Sequence, residues 1–507
     1  MTARDLHDFE LALVAPCLAM TRRGLRVDEA RRQDMLAALA AASEPLEIEI
    51  SQRVWPHLRE GMPRAGLFKK KWCCRACRGG VKKRLTCAAC DGVGKRVDWR
   101  YNPASATQTK VLLYDVLRYP ARTRDGRATV DEDALKSLLP YDVGPRGAAL
   151  LPGLLAFGKH ATMRSILERM EPAEDGRIRT WYNIAATETG RFGSSETWLE
   201  PASTNLQNLP LKQAMASPLY DVRRCIVPDE GEVFLYADLS QAEARVVAAL
   251  CGDRALLERW QDADFDVHTW TAAHIFGKAE ADVTKQERFL GKVARHALNY
   301  GMGWATFQRG VNADADVTGV SLSAVEGKRI VAAYHQLHPT VERWWQQVAS
   351  VLDARGRLSS VFGRVRTFYG RRRATHWLDD VHKEAIAFEP QSTVADLLNR
   401  GLLRYWQQWD RDGPRGGCGQ LQAQVHDAVL VGARLGQYGD NYKIEAAVLK
   451  RCLEEEIVVN GTHLTVPCEI EVCEMSWAEG RPLGALEAVG RAASKGGALL
   501  SSDGARS

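Results

Sequence analysis

Two short stretches, far apart in a chain of 507 residues, each bring an aspartate to the end of an apolar run. One is Tyr236-Ala237-Asp238-Leu239-Ser240-Gln241-Ala242-Glu243-Ala244-Arg245, and the other is Gln424-Val425-His426-Asp427-Ala428-Val429. Each reads as a strand that turns polar at its carboxylate and so delivers an acid to a cleft. Between them, Arg288, Lys292 and His296 recur every fourth residue ahead of Tyr300-Gly301, a helical register that stacks cations on one face. Two acids able to share metal ions, with a cationic helix face for phosphates, are the parts that metal-assisted phosphoryl transfer requires.

Holding such groups in register takes a large scaffold. With 45% hydrophobic residues the chain can bury a sizeable core in more than one domain, and with 26% charged residues it is not wholesale disordered. Helical periodicity runs from Leu6 to Glu60, broken near Arg23-Gly24, and resumes from Tyr101 to Met170 around the polar turn Thr123-Arg124-Asp125-Gly126. Short β-type runs alternate with polar loops over 181–247, helices dominate 248–350, and mixed patterns fill 358–477. A Gly-, Ala- and Ser-rich stretch beyond Trp477 reads as a flexible tail. No run of eighteen apolar residues exists, and the first ten residues carry Asp5, Asp8 and Glu10. The chain is therefore expected to be soluble, unexported and without a membrane partner.

Cys74-x2-Cys77 and Cys87-x2-Cys90 are separated by nine residues, each pair followed by glycines. Four thiolates at this spacing suit a closed, tetrahedral, structural zinc site. From Arg64 to Arg100, twelve Lys and Arg face Asp91 and Asp98, a local balance of +10 in a chain of net charge +5. The remainder is about five charges negative, so Lys82, Lys83 and Arg84 belong to a basic module on a mildly acidic protein, the signature of a polyanion partner. Two roles fit the module: a grip on DNA phosphates, or a purely stabilising staple.

Further motifs follow in order: Thr187-Glu188-Thr189-Gly190-Arg191, Asn205-Leu206-Gln207-Asn208-Leu209-Pro210, Asp238 with Glu243 and Arg245, Asp266-Val267-His268, Arg288 with Lys292, Gln391, and Val425-His426-Asp427. Together they resemble the polymerase domain of the DNA polymerase I family (family A). The resemblance runs from about Asp8 to Trp477 and includes Tyr101-Asn102-Pro103-x-Ser105-x2-Gln108, similar to the family's segment leading into the thumb. It implies a mixed α+β right hand with an antiparallel palm sheet, helical fingers and thumb, and a small zinc-binding insertion. The expected divisions are 1–63 for the helical thumb base, 64–100 for the zinc insertion, 101–180 for the thumb, 181–247 and 346–477 for the palm, 248–345 for the fingers and 478–507 for the tail.

By the same resemblance, Asp238 and Asp427, with the Leu239 carbonyl, hold two Mg²⁺ ions that activate a primer 3′-hydroxyl and neutralise the triphosphate. Arg288, Lys292 and His268 meet the phosphates, Lys292 also as a proton donor to pyrophosphate. Tyr300 stacks at the templating position, His296 and Gln241 line the nucleotide site, and Glu243 crowds a ribose 2′-hydroxyl. Arg191, Asn205, Gln207, Asn208, Arg245, Gln391 and His426 are expected on the DNA side, where minor-groove acceptors test shape without reading sequence.

Departures from the family pattern are His296 for Phe or Tyr, Ala428 for the acid after Asp427, Ala387 and Lys383 before Gln391, and Leu239 for Tyr. None removes a metal ligand or the Arg288–Lys292 pair. The resemblance begins so near Met1 that the proofreading exonuclease is expected to be lacking or supplied by another polypeptide. The expected function is replicative primer extension with dNTPs on primer–template DNA, in a bacteriophage-type member acting in a host cytoplasm, with a separate exonuclease subunit or processivity factor as protein partners. A lesion-bypass polymerase and a silent DNA-binding scaffold are the alternatives.

Overall fold

The computed structural model describes residues 3–58, 63–73, 95–142, 150–196, 203–210, 217–262, 264–369, 379–436 and 441–483, and of 3, 69–73, 95–99, 316 and 317 the backbone alone. The chain divides into two units: Met1–Arg32 with Arg169–Ser507, and Gln33–Glu168.

The larger unit is built on a five-stranded antiparallel sheet. Its order is Gln420–Val425, Ala428–Arg434, Glu232–Leu239, Cys468–Cys473 and Gly480–Pro482. Glu232–Leu239 is the central strand, and its apolar residues Val233, Leu235, Ala237 and Leu239 enter the main core. The Asp380–Gln408 helix, whose face includes Ile386, Val394, Leu397, Leu398 and Leu402, contributes to the same core. So do Ala242–Cys251 and Pro339–Arg355, through Val246, Ala249, Trp344 and Val348.

Between the Ala242–Cys251 and Pro339–Arg355 helices lies a helical region with its own core of Leu290, Ala294, Leu298, Phe307, Ile330 and Tyr334. The Lys285–Leu298 helix opens with a capping box between Thr284 and Glu287, which satisfies two of its orphan N–H groups. Leu290, Gly291 and Ala294 form its buried side, and Arg288, Lys292 and His296 its exposed one. Gly291 is required by close approach: a Cβ there would lie 2.3 Å from the His268 carbonyl oxygen.

The first two helices, Ala3–Ala12 and Val14–Arg23, correct the expected assignment of 1–63 to the thumb base. Phe9, Leu13, Cys17 and Met20 join the core of the sheet-bearing unit, and Arg23 Nη2 pairs at 2.7 Å with Asp410, whose side chain is fully buried. An apolar stripe announces that a helix will be buried but not against what, and here the partner lies 387 residues away. The tail assignment changes as well: Gly480–Pro482 pairs with Glu471–Cys473 and is the edge strand of the sheet among the described residues, a position that tolerates proline. Residues 484–507 lie outside the described residues.

In the smaller unit, Ile50, Phe68, Leu112, Leu113, Leu138 and Leu151 form a separate core. Thr123–Arg124 and Arg127–Ala128 make a hairpin whose turn residues Asp125 and Gly126 both have positive φ, 51° and 73°, as a tight primed turn demands. Lys69–Cys73 pairs antiparallel with Lys95–Trp99, so the strands flanking the CxxC pairs are joined. Cys74, Cys77, Cys87, Cys90, Lys82, Lys83 and Arg84 lie outside the described residues. Cys17, Cys251, Cys418, Cys452, Cys468 and Cys473 are free thiols.

Candidate active site

Sheet register brings the two aspartates together. Asp238, at the end of the central strand, pairs laterally with Ala428 on one side and Glu469 on the other. Asp427 sits in the two-residue turn between Val425 and Ala428, which pair across the hairpin. The Leu239 N–H donates to the Asp427 carbonyl at 3.3 Å, tying one aspartate's backbone to the other's strand. The turn begins with His426 in the left-handed region, φ 54°.

Burial, and then the neighbouring Asp427 and Glu469, push the Asp238 carboxyl up to about 7, while Lys292 opposes the shift. Asp238 presents an exposed surface, so solvent screens much of the desolvation, and the crowding of carboxylates is the firmer cause. Burial also raises Asp427, against the pull of Arg191. A carboxylate pair held this way favours a cation between its members. Among the described residues no group of three or more His, Cys, Asp or Glu gathers in metal-holding geometry. Two hard oxygen donors with the remaining positions open to water and substrate oxygens fit magnesium, which keeps waters and binds through one or two carboxylates plus phosphates.

Around the pair, Glu243 in the first turn of the Ala242–Cys251 helix accepts from Arg191 and, at 2.8 Å, from the Tyr300 hydroxyl. His296 Nδ1 lies 3.9 Å from the same carboxylate, and Arg191 Nη2 lies 3.7 Å from Asp427. Glu243 thus links the Arg191 loop to the end of the cationic helix. Arg288 is turned to Asp266, Nε to Oδ2 at 2.6 Å, rather than converging with Lys292 on a shared anion. Asp266 caps the Val267–Phe276 helix at the same time, accepting from the His268 and Thr269 N–H groups. His268 is half-buried, its Nδ1 without a partner among the described residues, and burial holds its pKa well below the usual histidine value.

Several residues expected on nucleotide or DNA turn inward. Arg245 is only 8% exposed; its guanidinium lies 4.9 Å from the Trp260 ring centroid and its Nε donates to the Ser240 carbonyl. Two residues past Glu243, it falls on the core side of the helix. Gln241 accepts from Trp260 Nε1 at 3.1 Å. Asn205 caps the Leu206–Asn208 turn and accepts from Ser194 Oγ at 2.6 Å, and Gln207 is engaged with Gln424 and His426. Asn208 and His426 are exposed, and Gln391 is half-buried in the Asp380–Gln408 helix. Residues not singled out from sequence also matter: Asn399 Nδ2 donates to the Gly190 carbonyl at 3.2 Å, and Arg364, paired with Asp396, lies against Gly190. Gly190, φ 80°, has no room for a Cβ, so the loop presenting Arg191 rests on this buried pair. A lone Arg and a lone Asp, 32 residues apart, carry no local signal of it.

Comparison with known proteins agrees with this architecture. The profile of DNA polymerase family A matches residues 84–479. The chain belongs to DNA polymerase family A. DNA polymerase I of Caldicellulosiruptor bescii is 26% identical over 393 residues, covering 75% of this chain and 41% of that protein. The thermostable DNA polymerase I of Thermus filiformis is 28% identical over 383 residues, covering 73% and 41%. This family A chain therefore spans about two fifths of the length of the curated relatives it matches. Among solved structures, the POL domain of Pol1 from M. smegmatis, in complex with DNA primer-template and dNTP, superposes with a TM-score of 0.69 at 20% identity, covering 92% of this chain and 70% of that one. That likeness establishes a common fold.

Proposed function

We propose that this chain is a template-directed DNA polymerase that adds deoxynucleotides to a primer 3′ end by metal-assisted phosphoryl transfer. The observation that carries the reading is the register placing Asp238 and Asp427 at adjoining strand ends, within a family A fold. Asp238 and Asp427 would hold magnesium, with the Leu239 carbonyl as a further candidate donor. Magnesium bound there supplies Lewis-acid activation of the primer hydroxyl and neutralises charge on the triphosphate. Lys292, close enough to pull down the Asp238 pKa, would meet a phosphate beside the carboxylates and give a proton to departing pyrophosphate. Arg288 reaches the same anion once it leaves Asp266, an exchange that a triphosphate can drive because guanidinium binds phosphate bidentately.

Glu243 closes the sugar side of the site, and its carboxylate, fixed by Arg191 and Tyr300, would reject a 2′-hydroxyl by crowding. Tyr300 and the exposed His296 mark where a base pair would stack. Primer–template DNA and dNTPs are the proposed partners. Cys74, Cys77, Cys87 and Cys90 are proposed as a structural zinc site on the spacing of their thiolates. The test is primer extension with dNTPs and Mg²⁺, comparing the wild type with Asp427→Asn. Templated elongation by the wild type alone is expected. A wild type that binds primer–template yet extends nothing would favour the scaffold reading.

A further inference from the structure

We propose that Gln207 is a positioning residue for Asp427: its side-chain amide clamps the turn that carries the catalytic carboxylate and does not contact nucleic acid. This rests on the polymerase reading above and deepens it.

Gln207 lies in the Leu206–Asn208 turn, 219 residues before the His426 it touches. Its backbone is itself anchored, with the N–H donating to Ser194 Oγ at 3.0 Å and to Asn205 Oδ1 at 3.1 Å. Its Nε2 donates to the Gln424 carbonyl at 3.2 Å and to Gln424 Oε1 at 3.1 Å. Its Oε1 accepts from the His426 N–H at 2.8 Å. Gln424, only 3% exposed, closes the ring by donating from Nε2 to the His426 carbonyl at 2.5 Å. The amide has one sensible orientation, because the flipped form would set its NH₂ against the His426 N–H.

A primary amide has two N–H donors, and both are committed to Gln424. The features that every correct base pair shows in the minor groove are acceptors. Reading them would take a donor that Gln207 can release only by opening the clamp. The clamp also acts where the backbone needs it: His426 adopts φ 54°, a left-handed conformation costing a non-glycine residue about 1–2 kcal/mol. Such a residue persists when its surroundings over-determine it. Asp427 follows directly, so the direction of its carboxylate depends on a turn fixed at Gln424 on one side and His426 on the other. A shift of about 1 Å in a reacting group can cost about 10²-fold in rate.

The experiment uses the full chain with Gln207→Leu, Gln207→Glu, Gln424→Leu and the Gln207→Leu/Gln424→Leu double variant. Gln207→Glu keeps the acceptor for His426 and removes both donors. Three quantities are read: primer–template Kd by fluorescence anisotropy without dNTP, Mn²⁺ binding to the DNA-free protein by electron paramagnetic resonance, and the single-turnover incorporation rate. The expected result for Gln207→Leu is a Kd within about twofold of wild type, Mn²⁺ binding weakened about tenfold and incorporation slowed about 10²-fold. The double variant is expected to lose no more than Gln207→Leu, since both side chains act through one ring.

A Kd weakened tenfold with Mn²⁺ binding unchanged would make Gln207 a DNA contact and overturn the proposal, as would additive losses in the double variant. Should circular dichroism show Gln207→Leu unfolded, Gln207→Glu decides by the same readouts. If even the wild type extends nothing, the polymerase reading fails by itself, and the Mn²⁺ titration still decides the clamp.

Discussion

Replacing Arg364 by Met should destabilise the sheet-bearing unit by about 3–5 kcal/mol, and by more at alkaline than at acid pH. The guanidinium donates to Asp396 at 2.8 and 3.2 Å and to Glu10 at 2.6 Å. The Arg364 side chain is 9% exposed and that of Asp396 is 0% exposed. Burial already raises the Asp396 pKa, with Arg364 the chief opposing influence. Without the guanidinium, the carboxylate must stay charged and uncompensated or take up a proton. An acid whose folded pKa lies above its unfolded value of about 4 binds the proton more tightly when folded, so stability is lost as pH rises from about 4 toward the folded pKa. The variant's deficit should therefore be small at about pH 5 and full at about pH 8.

Urea denaturation followed by circular dichroism, with the two units fitted as separate transitions, measures it. The double variant Arg364→Met/Asp396→Leu should recover most of the loss, because an apolar pair leaves no buried charge. A deficit below about 1 kcal/mol at about pH 8, or one equal at both pH values, would refute the reasoning. The same variant should slow primer extension, since the pair underlies the Gly190–Arg191 loop.

Gly291→Ala should destabilise by about 1–3 kcal/mol in thermal melts, because its methyl would meet the His268 carbonyl and push two helices apart. Metal analysis of the purified protein should find one zinc per chain in the wild type and none in Cys77→Ser, whereas equal content in both would remove the four-thiolate assignment. In the metal-free protein Asp238→Asn should be the more stable form at about pH 8, with the gain fading as pH falls through about 7 toward the unfolded value near 4. After allowance for solvent screening the gain is about 1 kcal/mol, and saturating Mg²⁺ should reverse the order by stabilising the wild type alone.

The placement of Asp238, Asp427, Arg288, Lys292 and His296 was legible because its signals are local. Asp238 and Asp427 end apolar runs, and Arg288, Lys292 and His296 repeat at helical spacing, so strand and helix geometry alone places them. What could not be read depends on pairing across the chain. Whether a conspicuous polar residue faces ligand or neighbour is decided by partners that local periodicity does not name. Gln207 and Arg245 were expected on DNA, yet they spend their hydrogen bonds on Gln424, His426 and Ser240. The Arg364–Asp396 pair beneath Arg191 and the Arg23–Asp410 pair that fastens the first helices join residues 32 and 387 positions apart. Gly480–Pro482 read as tail because edge strands tolerate the residues that mark loops.

The most direct test of the account is single-turnover incorporation of one templated dNTP by Asp238→Asn, by Asp427→Asn and by the double variant. Two carboxylates acting on the same metal ions fail as a unit, so each single change should cost about 10³-fold or more and the double little beyond that. Near-wild-type rates in either single variant, or losses that multiply in the double, would contradict the claim that Asp238 and Asp427 form one catalytic centre.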